Sequence, residues 1–325
     1  MTKDRPMALR FDRVPTPPSA EDDRDGFVEA PDGDMAPLRD DGRYETQERF
    51  LRIYRALEER LWGAVEGAEA VRKACPIFIQ DAGINSDCAV DRLTFERFLN
   101  EFSDLPERNR LLYARDCEHL VDSAQTCTRE IATLLEQFYR LLNGERFFPD
   151  IEGLPDGVRM SSSPAATLLV ATLGTIFIRL HSLLDYLTKL AFEAENLKED
   201  FATYPKLASS SKKFGDRRHL RMNGTPGTFF EANELVSEIE LVRNRLIHDG
   251  MLDDRSKVFE RIENGKVTER FVLWPDRTDG RFDRYVNRTL FYGGEDKINL
   301  RLPAFVQAFG ERQRATLEAI HQELS

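Results

Sequence analysis

The sequence predicts a mainly α fold, a bundle of long helices with one small β-hairpin near 257–275. Three observations carry that reading. Two long stretches repeat apolar residues at alternating spacings of four and three, the period of one helix face. A third stretch is apolar almost all round, as expected of a central helix. Asn264-Gly265 separates two short alternating runs, the pattern of a tight hairpin.

Taken in order, residues 1–43 hold six of the fifteen prolines, are rich in Asp and Arg, and keep no period of 2 or 3.6. They read as a disordered or loosely docked tail. From Tyr44 to about Ala74, Phe50, Tyr54, Leu57, Leu61, Ala64, Ala68 and Val71 form one stripe, and Pro76 stops the helix. A longer helix runs from about Pro106 to Asn143-Gly144, with Tyr113, Cys117, Leu120, Ala124, Cys127, Ile131, Leu134, Phe138 and Leu141 on its seam. Such seams suit near-parallel packing, so 44–145 reads as a scaffold of long helices.

Residues 145–163 read as a loop ending in a Ser-rich cap. A helix over Pro164–Asn196 then carries a polar line, Arg179, His181, Ser182, Asp185 and Lys189. A basic loop over 204–228 holds Lys212, Lys213, Arg217, Arg218, His219 and Arg221. A fourth helix runs from about Phe230 to Gly250. The hairpin follows, with short extended pieces around Thr289–Tyr292 and a last amphipathic helix over Pro303–Leu324. The second region is therefore 146–325, its bundle also drawing on helix 107–143.

The formal net charge of −11 argues against a protein that coats nucleic acid non-specifically, yet allows a small basic cleft. The four cysteines form no CxxC pair and only five histidines exist, so a structural zinc site is not expected; no metal or cofactor is expected. Cys117 and Cys127 fall on an apolar stripe, as small hydrophobes do. The N-terminus has no apolar run of signal-peptide length, and the apolar part of 160–178 reads as a buried core helix rather than a membrane span. The expected compartment is the cytoplasm.

Chemistry concentrates at Arg243-Asn244-Arg245-Leu246-Ile247-His248, near the end of the fourth helix. Arg-to-His spacing alone is at chance level in so Arg-rich a chain, and Arg314 to His321 is the chance match. Requiring Asn directly after the Arg lowers the chance expectation to roughly one in twenty. At 100° per residue, Leu235, Ile239, Val242 and Leu246 make the stripe that faces the chain's own core. Asn244 and His248, four apart, share the opposite face, with Leu241 beside them.

Arg-Asn-x-x-x-His at a helix end in a helical bundle resembles the HEPN superfamily, over roughly residues 105–325. The resemblance implies an HEPN-like helical bundle and a metal-independent endoribonuclease, of toxin–antitoxin or antiviral defence type. It implies a homodimer whose two motifs form one composite site, and an antitoxin or other defence-system partner. Arg243, Asn244 and His248 would be catalytic, with RNA cleaved by its own 2′-hydroxyl. His248 would take or give a proton near neutral pH and Arg243 would hold the phosphate charge. Such families often place an acidic residue on an earlier helix, for which Asp185 is the candidate, with His181 one turn before it.

The basic loop residues Lys212, Lys213, Arg217, Arg218 and Arg221 are candidates for RNA phosphates or for a solvated surface. Toxins of this type that pair with a nucleotidyltransferase antitoxin often carry Tyr two residues after the His. Here that position is Gly250, which puts that route of regulation in doubt. The alternative is an inactive HEPN-like dimeric adaptor that binds RNA or a partner protein. An ordinary helix end, with Arg and His beside the dipole's negative pole, needs no function at all.

Overall fold

The computed structural model describes residues 27–29, 35–37, 43–149 and 155–325. Within the segment read as a tail, β1 (Phe27–Glu29) and β2 (Met35–Pro37) pair antiparallel. The rest of that reading lies outside the described residues.

The described residues are mainly helical. The helix expected over 44–74 is two helices, α1 (Arg43–Trp62) and α2 (Val65–Ala74). Gly63 adopts φ 77° and Ala64 is extended, so the chain turns there and Ala64 is exposed rather than on a core stripe. Short α3 (Ile77–Asp81) and α4 (Arg92–Glu101) precede α5 (Arg108–Gly144), which lies where its seam predicts. Along α5, Tyr113, Cys117, Ala124, Cys127, Ile131, Phe138 and Leu141 are buried. Then come β3 (Gly157–Ser161), α6 (Pro164–Glu195), a 3-10 helix (Phe214–His219) and α7 (Glu234–Asn244). A π turn (Arg245–Asp249) continues α7. After it come β4 (Val258–Glu263), β5 (Lys266–Phe271), the two-residue strands β6 (Arg277–Thr278) and β7 (Arg281–Phe282), and α8 (Ile298–Leu324).

The Asn264-Gly265 hairpin is present, with both residues at positive φ (54° and 70°), as a tight turn of that composition requires. Part of the expected 145–163 loop is instead β3, an edge strand of a β3-β4-β5 antiparallel sheet. A central Arg159 there reaches Glu260 on β4 at 2.7 Å. The extended pieces expected at Thr289–Tyr292 lie earlier, at β6 and β7.

The last helix begins five residues before its expected start, so Pro303 sits inside it. Proline has no N–H to offer the carbonyl of Asn299, four residues back. The Tyr139 hydroxyl of α5 donates to that carbonyl at 2.6 Å, which removes the cost of burying it unpaired.

The chain forms two compact units, each assembled from separated stretches. The first holds Thr128–Ser182 and Ala232–Glu311, with β1 and β2. The second holds Tyr44–Cys127, Leu183–Glu231 and Arg312–Ser325. Neither coincides with a segment 44–145 or 146–325, because α5, α6 and α8 each contribute residues to both. In the first unit Phe177 stacks on Trp274 with centroids 5.1 Å apart and meets Phe305 at 5.6 Å. In the second, Phe50, Ile53, Leu57, Tyr113, Val121, Leu187, Phe229 and Leu317 are buried.

Among the described residues, α6 is the one helix long and apolar enough to cross a membrane. Half of its most apolar window is buried in protein, including Leu169, Leu173, Ile176 and Phe177. All four cysteines are free thiols.

Candidate functional site

Helix α7 starts on Asn233, whose side-chain oxygen accepts the Val236 N–H at 2.9 Å. Val236, Ile239 and Val242 are its buried positions, while Leu235 and Leu246 are half-buried, so the core-facing stripe is set one residue away from Leu235. Glu238 is also buried, which the apolar pattern does not predict. It accepts a bidentate pair from Arg301 at 2.9 Å and a contact from Arg277 at 2.7 Å. Two arginines bracketing one buried carboxylate explain a Glu on a core-facing position.

The α-helix does not run unbroken to Gly250. It gives way at Asn244 to the π turn over Arg245–Asp249, and Gly250 then takes φ 95° and ψ −146°, a backbone conformation kept for glycine. Leu246, in the middle of that turn, packs over Gly174 of α6, where a Cβ would lie 3.6 Å from it. The small residue lets the turn sit close to the helix.

The π turn alters the geometry expected from 100° per residue. In an uninterrupted α-helix Arg243 and His248, five apart, would point about 140° from one another. A π turn bonds i to i+5 and winds more slowly, so it rotates His248 back toward the side that carries Arg243. Asn244 and His248 are exposed and Arg243 is half-buried. The Arg243 guanidinium donates to Asn244 Oδ1 at 3.0 Å, so the adjacent Asn steadies the Arg. Ile247 and Met251, near His248 in sequence, are 50% and 53% exposed.

Asp185 has a different setting. Its Oδ1 accepts the Phe214 N–H at 2.7 Å and so anchors the 3-10 helix of the basic loop. It belongs to the second unit, whereas Arg243, Asn244 and His248 belong to the first. Two further α6 carboxylates hold the same loop. Glu193 accepts the Ser209 N–H at 3.0 Å, and Glu195 accepts the N–H groups of Arg221 and Met222, each at 3.0 Å. Glu193 also accepts from the Tyr113 hydroxyl, and burial pushes the Tyr113 pKa up. The sequence signal for this arrangement is the acidic pair Glu193 and Glu195 at the end of α6.

Several cations of the basic loop are engaged. Lys212 lies 4.7 Å over the Phe192 ring, Arg217 lies 3.9 Å over Phe214, and Arg221 pairs with Glu323. Lys213 and Arg218 are exposed. Arg314 of the chance match pairs with Glu45 at 3.5 Å, and His321 lines an open pocket of about 360 Å³ with Arg52, Arg55 and Arg60. No group of three or more His, Cys, Asp or Glu placed to hold a metal occurs among the described residues.

Compared with protein-family models, with curated proteins and with solved structures, the chain matches none.

Proposed function

We propose that this chain is a metal-independent endoribonuclease of HEPN type, acting as a homodimer in a toxin–antitoxin or antiviral defence system. One observation carries the reading. Arg243 and Asn244, the last residues of α7, and His248 in the π turn that follows lie at one partly exposed helix end, with the Arg bonded to the Asn. Supporting it is the tendency of π turns to occur at functional sites.

The chemistry follows from the residue types. His248 accepts the proton of the RNA 2′-hydroxyl, and the 2′-oxygen attacks the adjacent phosphorus. The P–O5′ bond breaks and the departing 5′-oxygen is protonated. Arg243, charged at every working pH, offsets the negative charge that grows on the phosphate oxygens. Asn244 keeps its guanidinium from swinging into solvent. In a homodimer one His248 serves as base and the partner's copy of the motif as acid, so the exposed face becomes enclosed. DNA, without the 2′-hydroxyl, is not cut.

The test is cleavage of single-stranded RNA by the purified chain in EDTA, together with growth arrest on expression. Arg243→Ala and His248→Ala should each lower cleavage by about 10²- to 10⁴-fold and abolish arrest while leaving the melting temperature unchanged. A wild-type dimer that binds RNA or a partner without cutting is the inactive adaptor instead.

A further inference from the structure

The segment 276–294 is a loop closed at its base by hydrogen bonds. Asp276 N–H donates to Phe291 O at 2.7 Å, Asp283 N–H to Asp276 O at 3.1 Å, and Gly294 N–H to Asp276 Oδ1 at 3.0 Å. Two attachments fix that base to the frame that carries the motif. Arg277 reaches Glu238 of α7 at 2.7 Å, and the Tyr292 hydroxyl donates to the Leu252 carbonyl, four residues after His248.

The far end of the loop is the reverse of its base. Tyr285 and Arg288 exchange N–H···O bonds of 2.8 Å in both directions around a two-residue turn. The first turn residue is Val286 at φ 51°, a conformation that a β-branched residue rarely adopts and that glycine or asparagine would take at little cost. Tyr285 is 72% exposed and Val286 67%, the highest exposures of a large apolar side chain here apart from Leu93. Around them Arg281, Arg284 and Arg288 are exposed, and none makes an ion pair among the described residues. The Arg284 Nε donates to the Val286 carbonyl at 3.1 Å, which leaves its outer nitrogens facing solvent.

Arg281, Arg284 and Arg288 are close together in sequence and, although Asp279 and Asp283 alternate with them, none of the three reaches a carboxylate among the described residues. A tyrosine held out on a strained turn among arginines matches what single-stranded nucleic acid requires. Bases stack on an aromatic face regardless of sequence, and arginines hold the phosphates on either side. A hydrogen-bonded base lowers the ordering cost of binding.

We infer that the 276–294 loop is an arm that holds single-stranded RNA, with Tyr285 as the stacking platform and Arg281, Arg284 and Arg288 as phosphate contacts. This rests on the nuclease reading for the identity of the nucleic acid, and it gives the strand a place to be held beyond the scissile phosphate.

The experiment uses the full chain carrying His248→Ala, so that binding is read without cleavage. A fluorescein-labelled unstructured 12-nucleotide RNA is titrated by anisotropy over a range of salt. Tyr285→Ala should weaken binding at least tenfold and Tyr285→Phe should restore it. The Arg281→Gln, Arg284→Gln, Arg288→Gln triple variant should weaken it further and lower the log–log salt slope by about 2, roughly 0.7 for each phosphate that is no longer neutralised. Unchanged affinity and slope in both variants would overturn the arm while leaving cleavage at Arg243 and His248 intact. Unchanged RNA affinity with loss of self-association would overturn it too, and would assign the loop to a protein contact. If the wild-type chain cuts no RNA yet the arm variants lose binding, the nuclease reading fails and the arm stands.

Discussion

At the scale of single residues, exposure and charge compensation separate groups available for chemistry from groups that hold the fold. Arg243 donates to a neutral amide and pairs with no carboxylate among the described residues, whereas Arg277 and Arg301 are paired with Glu238. Asp116 is a further case with a measurable consequence. Burial raises its pKa, while the Tyr204 hydroxyl and His119 pull it the other way without cancelling the shift. A carboxyl raised in the fold binds its proton more tightly folded than unfolded. Its contribution is therefore favourable below the ordinary carboxylate range and is lost as pH rises through the raised value. Asp116→Asn keeps an acceptor for Tyr204 and removes the half-buried charge. Thermal melts should show the variant more stable than wild type at neutral pH, with the gap closing in acid. A gap of constant size across pH would mean that Asp116 is not the group responsible.

At the scale of elements, three features depart from regular periodicity, and each departure has a local cause. Gly63 breaks the first helix in two. The π turn ends α7 one slow winding before Gly250. Pro303 lies inside α8 because Tyr139, from a distant stretch of chain, satisfies the carbonyl that the proline strands. The last gives a direct stability prediction. Tyr139→Phe keeps the ring in its buried slot and deletes only the hydroxyl, leaving Asn299 O buried without that donor. Chemical denaturation should show a loss of about 1–3 kcal/mol with an unchanged m-value. A loss below about 0.5 kcal/mol would show that the carbonyl is satisfied by other means.

At the scale of the whole molecule, how much was legible depended on how local the cause was. The seam from Tyr113 to Leu141 located α5 closely, and Asn264-Gly265 located the hairpin, because both patterns are written in adjacent residues. The outward placement of Asn244 and His248 followed from the apolar residues around them. What sequence could not show was set by partners far along the chain. The edge strand β3 exists because β4, distant in sequence, offers it a ladder. Asp185 is occupied by the Phe214 N–H, which no spacing rule reveals. Each unit draws on separated stretches of chain because the residues of three long helices are divided between them. The arm at 276–294 is illegible in the sequence, because its arginines alternate with aspartates and read as ordinary surface until the ion pairs are assigned.

These scales meet in one claim, that the turn at Arg243–His248 cuts RNA through the substrate's own 2′-hydroxyl. The most direct measurement is the chemistry of the ends produced when the purified chain, in EDTA, is incubated with a single-stranded RNA labelled at either end. The account predicts fragments ending in a 2′,3′-cyclic phosphate and beginning with a 5′-hydroxyl, with no cleavage where a 2′-deoxy nucleotide precedes the scissile phosphate, and none by His248→Ala. Fragments with 5′-phosphate ends, cleavage at 2′-deoxy positions, or undiminished cutting by His248→Ala would contradict it.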